Sequence, residues 1–202
     1  MFVWNTFDYA FAKNLNFSEE KQDSGYNNFG KEAIQLLIRK ANSNEFEMIR
    51  KQRIASYKQF KNLISPEHWS MLQGTLSAES DKRPDVNLFV AEKDGHIAGS
   101  IVLFPSKAKA YEWDSSVLEY PEIRMLAVDS KFRGNGVGKA LVYYCIDVAK
   151  EQGEKRIGLH TGSFMSDAMK LYESIGFERM PELDFEPLND GIIVQAYQLA
   201  IR

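Results

Sequence analysis

Three glycines at alternate positions, Gly134, Gly136 and Gly138, are flanked by Arg133 and Lys139, with Asn135 and Val137 between them. They sit between a short apolar run, Ile123 to Val128, and a helix-forming run from Ala140 to Gln152 that Gly153 ends. The apolar run reads as a buried strand. A strand that turns through glycines into a helix leaves the first helical N–H groups unpaired and aims the positive end of the helix dipole at the turn. Glycine lets a ligand approach the main chain with no Cβ in the way, and Arg133 and Lys139 add full positive charge. A phosphate or pyrophosphate suits such a place. A tight turn carrying solvated basic residues is the plainer alternative, and the turn alone leaves both open.

Spacing excludes two phosphate motifs. A P-loop needs glycine five residues before its Gly-Lys pair and Ser or Thr after it, but those positions hold Arg133 and Ala140. A dinucleotide fingerprint starting at Gly134 would need glycine where Lys139 stands.

A different pattern fits. Arg133-Gly134-Asn135-Gly136-Val137-Gly138 resembles the R/Q-x-x-G-x-G/A acetyl-CoA loop of the GCN5-related N-acetyltransferases (GNAT family). The preceding Leu126-Ala127-Val128-Asp129 resembles that family's central strand. Ala168, Leu171, Tyr172, Gly176 and Phe177 resemble its A-x-x-L-Y-x-x-x-G-F segment at the expected distance. The resemblance is strong over 120–178, weaker over 31–120, and does not reach the first 30 residues. It implies a single-domain α/β acetyltransferase fold over 31–202, with a mixed, centrally splayed β-sheet flanked by helices. It further implies that Leu126, Ala127, Val128 and the segment from Arg133 to Lys139 hold acetyl-CoA. The cofactor arm would enter where the strands at 122–129 and 156–160 part. The expected activity is direct transfer of an acetyl group to a primary amine of a small molecule or peptide. A non-catalytic acyl-CoA-binding module is the alternative.

Acyl transfer from a thioester needs the amine deprotonated, the oxyanion stabilised and the departing thiolate protonated, with no metal required. Glu122 is the candidate base: it opens the strand leading into the turn and resembles the catalytic glutamate of histone-type relatives. Partial burial there is expected to raise its pKa toward neutrality. The competing reading is a solvent-facing glutamate paired with Arg124. Tyr172 is the candidate acid, because a phenol with a pKa near 10 suits protonation of a thiolate and the family places this tyrosine near the cofactor sulfur. Met165 stands where many relatives carry an asparagine that contacts the pantetheine arm, so that contact is expected either to be lost or to move to Ser163, Ser166 or His160.

The surrounding elements follow from periodicity. A first strand is expected over 31–41, helical segments over 43–63 and from Pro66 to about Ala78, and a hairpin of strands 86–92 and 96–104 about Asp94-Gly95. A strand over 156–160, a helix from Ser166 to Ile175 with Gly176 as its stop, and strands from Phe177 and over 192–201 complete an α/β domain with a mixed sheet. The connection 105–120 is long enough to be functional. Glu112, Trp113 and Asp114, with Tyr111 and Glu119, are its candidate acceptor-binding residues, carboxylates and rings suited to an ammonium group.

The 202 residues carry a net charge of −3, which argues against nucleic acid as the main partner and leaves room for a cationic acceptor. The lone Cys145 excludes an internal disulfide and reads as a core residue, and the three histidines show no metal-ligand spacing. No stretch approaches the length of a membrane span, and the N-terminus lacks the pattern of a signal peptide, so a cytoplasmic protein is expected. Residues 1–30 form an aromatic extension and linker. Phe2, Trp4, Phe7, Tyr9 and Phe11 pack either on the domain or on a second copy in a homodimer.

Overall fold

The computed structural model describes residues 36–108 and 117–202. The aromatic extension, the start of the first expected strand, and Glu112, Trp113 and Asp114 lie outside these residues. The described residues form seven strands and four α-helices: β1 (Leu37–Lys40), α1 (Phe46–Tyr57), α2 (Pro66–Ser77), β2 (Asn87–Lys93), β3 (His96–Phe104), β4 (Glu122–Val128), α3 (Val137–Glu151), β5 (Arg156–Gly162), α4 (Ser166–Ile175), β6 (Glu178–Arg179) and β7 (Val194–Ala200). The strands make one sheet in the order β1-β2-β3-β4-β5-β7-β6, antiparallel except where β4 meets β5. Among the described residues no helix is long and apolar enough to cross a membrane.

Local chemistry accounts for most boundaries. Asp94 and Gly95 both take positive φ (52° and 74°), the geometry of a two-residue hairpin turn, and Lys93 pairs with His96 across it. Ser65 caps α2 by accepting the His68 N–H at 3.0 Å, with Pro66 at the first helical position. Gly176 ends α4 in the left-handed conformation. The helical region expected over 43–63 is divided: α1 stops at Tyr57 and a 3-10 segment continues from Lys58 to Leu63. β5 runs two residues past its expected end because its ladder with β7 continues to Gly162 opposite Val194. The strand expected from Phe177 is only the pair Glu178–Arg179 before a 3-10 turn at Pro181–Leu183.

Alternation along β2 and β3 builds a core on each face of the sheet. Phe89, Ile101 and Leu103, with Ile123, Ile157 and Leu159, pack against Val137, Leu141, Cys145 and Ala149 of α3 and Tyr172 of α4. Leu88, Val90, Val102 and Phe104 pack against Ile49 of α1 on the opposite face. Cys145 is fully buried, which pushes its thiol pKa up.

A charged cluster ties α1 to the segment after α2. The buried Asp81 carboxylate meets Arg50 at 2.5 Å and Arg53 at 3.0 Å. Arg53 also donates to the Leu76 carbonyl at 3.3 Å and approaches the Met125 sulfur at 3.1 Å. Removing one partner of a buried ion pair leaves charge without compensation. Asp81→Asn is therefore expected to lower stability by about 3–5 kcal/mol, read as a reduced midpoint in denaturant titration.

Candidate active site

β4 and β5 pair at only two positions, Glu122 with Gly158 and Ile123 with Leu159. β4 nevertheless stays with β3 as far as Val128, and β5 stays with β7 as far as Gly162. The two strands thus follow different neighbours and part. A bulge opens β4 where it leaves its partner: Met125 takes φ 54°, and the register against β3 shifts there. The resulting gap is one wall of a cavity of about 1180 Å³. All residues from Glu122 to Val128 line it, as do Tyr172 and the glycine turn.

The Ala127 pairing with Ser100 uses the β3 side of β4, so Leu126 and Val128 turn their carbonyls the other way. Those carbonyls are met by protein groups. Tyr57 donates its hydroxyl to the Leu126 carbonyl at 3.0 Å, and Arg133 Nε approaches the Val128 carbonyl at 3.3 Å. Burial pushes the Tyr57 phenol up to about 12, which keeps it protonated as a donor.

At the end of the gap, Gly134 and Gly136 adopt positive φ (75° and 76°), and Gly136 is the N-cap of α3. The first intrahelical bond runs from Ala140 N to the Gly136 carbonyl at 2.9 Å, so the Val137, Gly138 and Lys139 N–H groups precede the ladder. Gly138 faces Leu171, Val128 and Leu126, with a would-be Cβ 3.4–3.8 Å from their side chains. The turn thus leaves unpaired amides at the start of a helix, the geometry that favours an anion.

The side chains of the turn divide. Arg133, expected to place its charge beside the helix amides, donates to Gln59 Oε1 at 2.6 Å and to the Ser56 carbonyl at 2.9 Å, and so ties the turn to the end of α1. Asn135 is exposed and donates to the Arg133 carbonyl at 3.3 Å, off the cavity lining. Val137 is buried beneath Gly99. Lys139 lines the cavity with its ammonium 5.9 Å from the Tyr143 ring.

Glu122 differs from its expected state. It is neither solvent-facing nor raised in pKa: it is 1% exposed and held by the side chains of Arg124 and His160. Arg124 Nε donates to Oε1 at 2.6 Å, and His160 Nδ1 lies 3.3 Å from Oε2. Burial pushes the carboxyl up, but His160 and Arg124 together pull it further down, below the usual carboxylate range. The sheet explains the grouping. Glu122 sits opposite Gly158, so Arg124 and His160, each two residues on, share its face. Phe104, the β3 partner of Glu122, carries the Arg124 guanidinium 4.3 Å above its ring.

Tyr172 lines the same cavity, with its ring 6.0 Å from Phe177 and 6.3 Å from Tyr197. Burial raises its phenol pKa above the ordinary value, so the hydroxyl stays protonated as a hydrogen-bond donor but is a weaker acid than the unperturbed phenol expected from the sequence. Met165 lines the cavity and takes a contact of 3.6 Å from Thr161 Oγ1 to its sulfur. Tyr57 and His68, also on the cavity wall, carry no motif in the sequence beyond a place on one of the two early helices. Among the described residues no group of three or more His, Cys, Asp or Glu side chains is arranged to hold a metal ion.

The depressed Glu122 pKa has a measurable consequence. Its folded value lies below its unfolded value, so the stabilisation is present above the ordinary value of 4.5 and is lost as pH falls through the folded value. Glu122→Gln should make the fall in melting temperature between about pH 5 and 3 shallower than in the parent, as followed by circular dichroism.

Comparison with known proteins agrees with this architecture. The family model for the acetyltransferase (GNAT) family matches residues 54–177. N-acetyltransferase 8 of Rattus norvegicus is 33% identical over 124 residues, 61% of this chain and 53% of that protein. N-acetylaspartate synthetase of the same species is 35% identical over 103 residues, 51% of this chain and 31% of that protein. The chain thus spans about half or less of the length of these relatives. Among solved structures, the PaiA N-acetyltransferase of Thermoplasma acidophilum in complex with coenzyme A aligns over 82% of this chain and 98% of its own, with a TM-score of 0.62 at 17% identity. A GNAT acetyltransferase from Staphylococcus aureus aligns over 83% and 99%, with a TM-score of 0.61 at 19% identity. A gap between two parting parallel strands, closed at one end by uncapped helix amides, therefore occurs here in the fold and sequence frame of its own kind: the chain belongs to the GNAT acetyltransferase family.

Proposed function

We propose that this chain is an acetyl-CoA-dependent N-acetyltransferase that moves an acetyl group directly to a primary amine. The observation that carries it is the β4–β5 gap ending at the uncapped start of α3. Such a gap offers main-chain partners to an extended amide-bearing arm and an anion site to the pyrophosphate at its end. The Thermoplasma neighbour of the same fold was solved with coenzyme A, which supports this occupant.

In the reaction the amine nitrogen attacks the thioester carbonyl carbon, the C–N bond forms, and the C–S bond breaks with its electron pair leaving on sulfur. Tyr172 supplies the proton to that thiolate. Glu122, held ionised by Arg124 and His160, fixes the polar wall opposite. A carboxylate below its usual pKa is a weak base, so we assign it to holding these two groups in place rather than to removing the amine proton. The acceptor enters on the side of the cavity where Phe60 after α1, Met71 and Leu72 of α2, and Phe164 between β5 and α4 offer an apolar wall. Glu112, Trp113 and Asp114 remain our proposed ammonium-binding residues, in the stretch of sequence between β3 and β4.

Release of free thiol from acetyl-CoA against a panel of amines tests the activity. The panel should include free amino acids, since one relative is named for making N-acetylaspartate. Amine-dependent thiol release is expected; tight coenzyme A binding with no release on any amine would identify a binding module instead. Tyr172→Phe should lower kcat by at least about tenfold while leaving coenzyme A affinity unchanged; equal kcat with chemistry rate-limiting would remove Tyr172 from the mechanism. Replacing Gly136 and Gly138 together by valine should weaken coenzyme A binding by at least about tenfold, because Gly136 holds a positive φ of 76° and side chains at both positions would crowd the unpaired amides; unchanged affinity by calorimetry in a folded variant would place the pyrophosphate elsewhere.

A further inference from the structure

With Glu122 committed to Arg124 and His160, the proton of the acceptor amine needs another destination. A second histidine–carboxylate pair lies on the cavity wall. His68, in the first turn of α2, is 3% exposed, and its Nδ1 lies 2.8 Å from Asp190 Oδ2, a residue 122 positions away in the connection before β7. Asp190 is itself held, by the Ser65 hydroxyl at 3.3 Å and by the Ile192 N–H at 3.2 Å. The His68 ring packs edge-on against Phe164 at 6.0 Å.

This arrangement decides the tautomer. An ionised carboxylate only accepts, so Nδ1 carries the proton and Nε2 of the neutral ring is a bare lone pair. Burial works to raise the Asp190 pKa, but His68 and the Ile192 N–H outweigh it and keep the group ionised. Nε2 makes no hydrogen bond among the described residues, yet it is not one of their buried unpartnered atoms, so this edge of the ring is open. His68 lines the cavity that also holds Glu122 and Tyr172.

We propose that His68, oriented by Asp190, takes the proton from the acceptor amine as the acetyl group is transferred. The proposal rests on the acetyltransferase reading above. As the C–N bond forms, the amine N–H proton passes to His68 Nε2. Asp190 compensates the imidazolium, and Tyr172 protonates the sulfur that leaves. Once the products have gone, His68 returns its proton to solvent and Tyr172 regains one from solvent, which restores both groups. Asp190 is in contact with it, and the other charged and titratable groups on the cavity lining are Tyr57 of α1, Glu79 and Arg83 after α2, Glu122 and Arg124 of β4, Arg133 and Lys139 of the glycine turn, His160 of β5, and Asp167 and Tyr172 of α4.

The test is the pH dependence of kcat/KM, with the best amine from the panel, for the parent, His68→Asn and Asp190→Asn. Asparagine keeps a donor where Nδ1 sits and removes Nε2. His68→Asn should lower kcat/KM at pH 7 by about 100-fold or more and lose the parent's acidic limb. Its deficit should narrow as pH rises toward the pKa of the amine itself, and coenzyme A affinity should not change. Asp190→Asn should show a smaller loss of the same shape. His68→Gln, which cannot accept a proton, serves equally where the asparagine variant does not fold. Parent-like rate and pH profile in a folded variant would overturn the assignment. So would a loss that is uniform in pH and accompanied by weaker coenzyme A binding, which is the mark of a structural role. A parent that turns over no amine removes the enzyme reading and this assignment together, whereas parent turnover with an unaffected variant removes the assignment alone.

Discussion

The structure depends on a sheet that does not close at its centre. β4 and β5 are parallel neighbours for two residue pairs and then part, because β4 keeps its ladder with β3 and β5 keeps its ladder with β7. Backbone polar groups need partners, so a parted pair of strands in an interior is costly unless something else supplies them. Here Tyr57 from α1 and Arg133 from the glycine turn reach the carbonyls of Leu126 and Val128. The bulge at Met125 redirects β4 at the same level. The gap is therefore a built feature, with its main-chain groups positioned before any cofactor arrives.

The helices then take their roles from the two faces of that sheet. α3 and α4 cover one face with an apolar core and bring the uncapped amides and Tyr172 to the gap. α1 covers the other with far more polar chemistry. Arg53 joins it to Asp81, Gln52 donates to the Ile97 carbonyl at 2.7 Å, and Arg133 binds its last turn at the Ser56 carbonyl. A wall fixed by directional bonds holds a cavity open where a close-packed apolar wall would collapse into it. The same logic orders the charges inside: Glu122 gathers Arg124 and His160 on the sheet, and Asp190 gathers Ser65 and His68 across the cavity.

What the chain discloses in one dimension is what is local. The Asp94-Gly95 turn, the Ser65-Pro66 start of α2, the glycines before α3 and the Gly176 stop each act through neighbours in sequence, and the structure places each where the pattern does. The extent of strands is different, because β5 ends where its antiparallel partner β7 begins, and β6 is short because a 3-10 turn follows it at Pro181–Leu183. The state of Glu122 was illegible for a related reason. Burial alone would raise its pKa, and only the β4–β5 register brings His160 to oppose that. Arg133 reads as a phosphate ligand in sequence but is taken up by the end of α1 in the fold, and the His68–Asp190 pair is 122 positions apart, beyond any spacing motif. The family resemblance read from the turn and from the segment around Tyr172 carried more of the site than composition or periodicity did, since it encodes tertiary placement that local chemistry does not.

The central claim is that the β4–β5 gap, from the strand to the start of α3, is where acetyl-CoA lies. Amide hydrogen exchange with and without coenzyme A tests it most directly, because it reads the backbone groups themselves. The account predicts slowed exchange at 126–128 and 137–139 when coenzyme A is bound, with β1 and β2 unchanged. Protection confined to other parts of the chain, with these two segments exchanging as before, would contradict it.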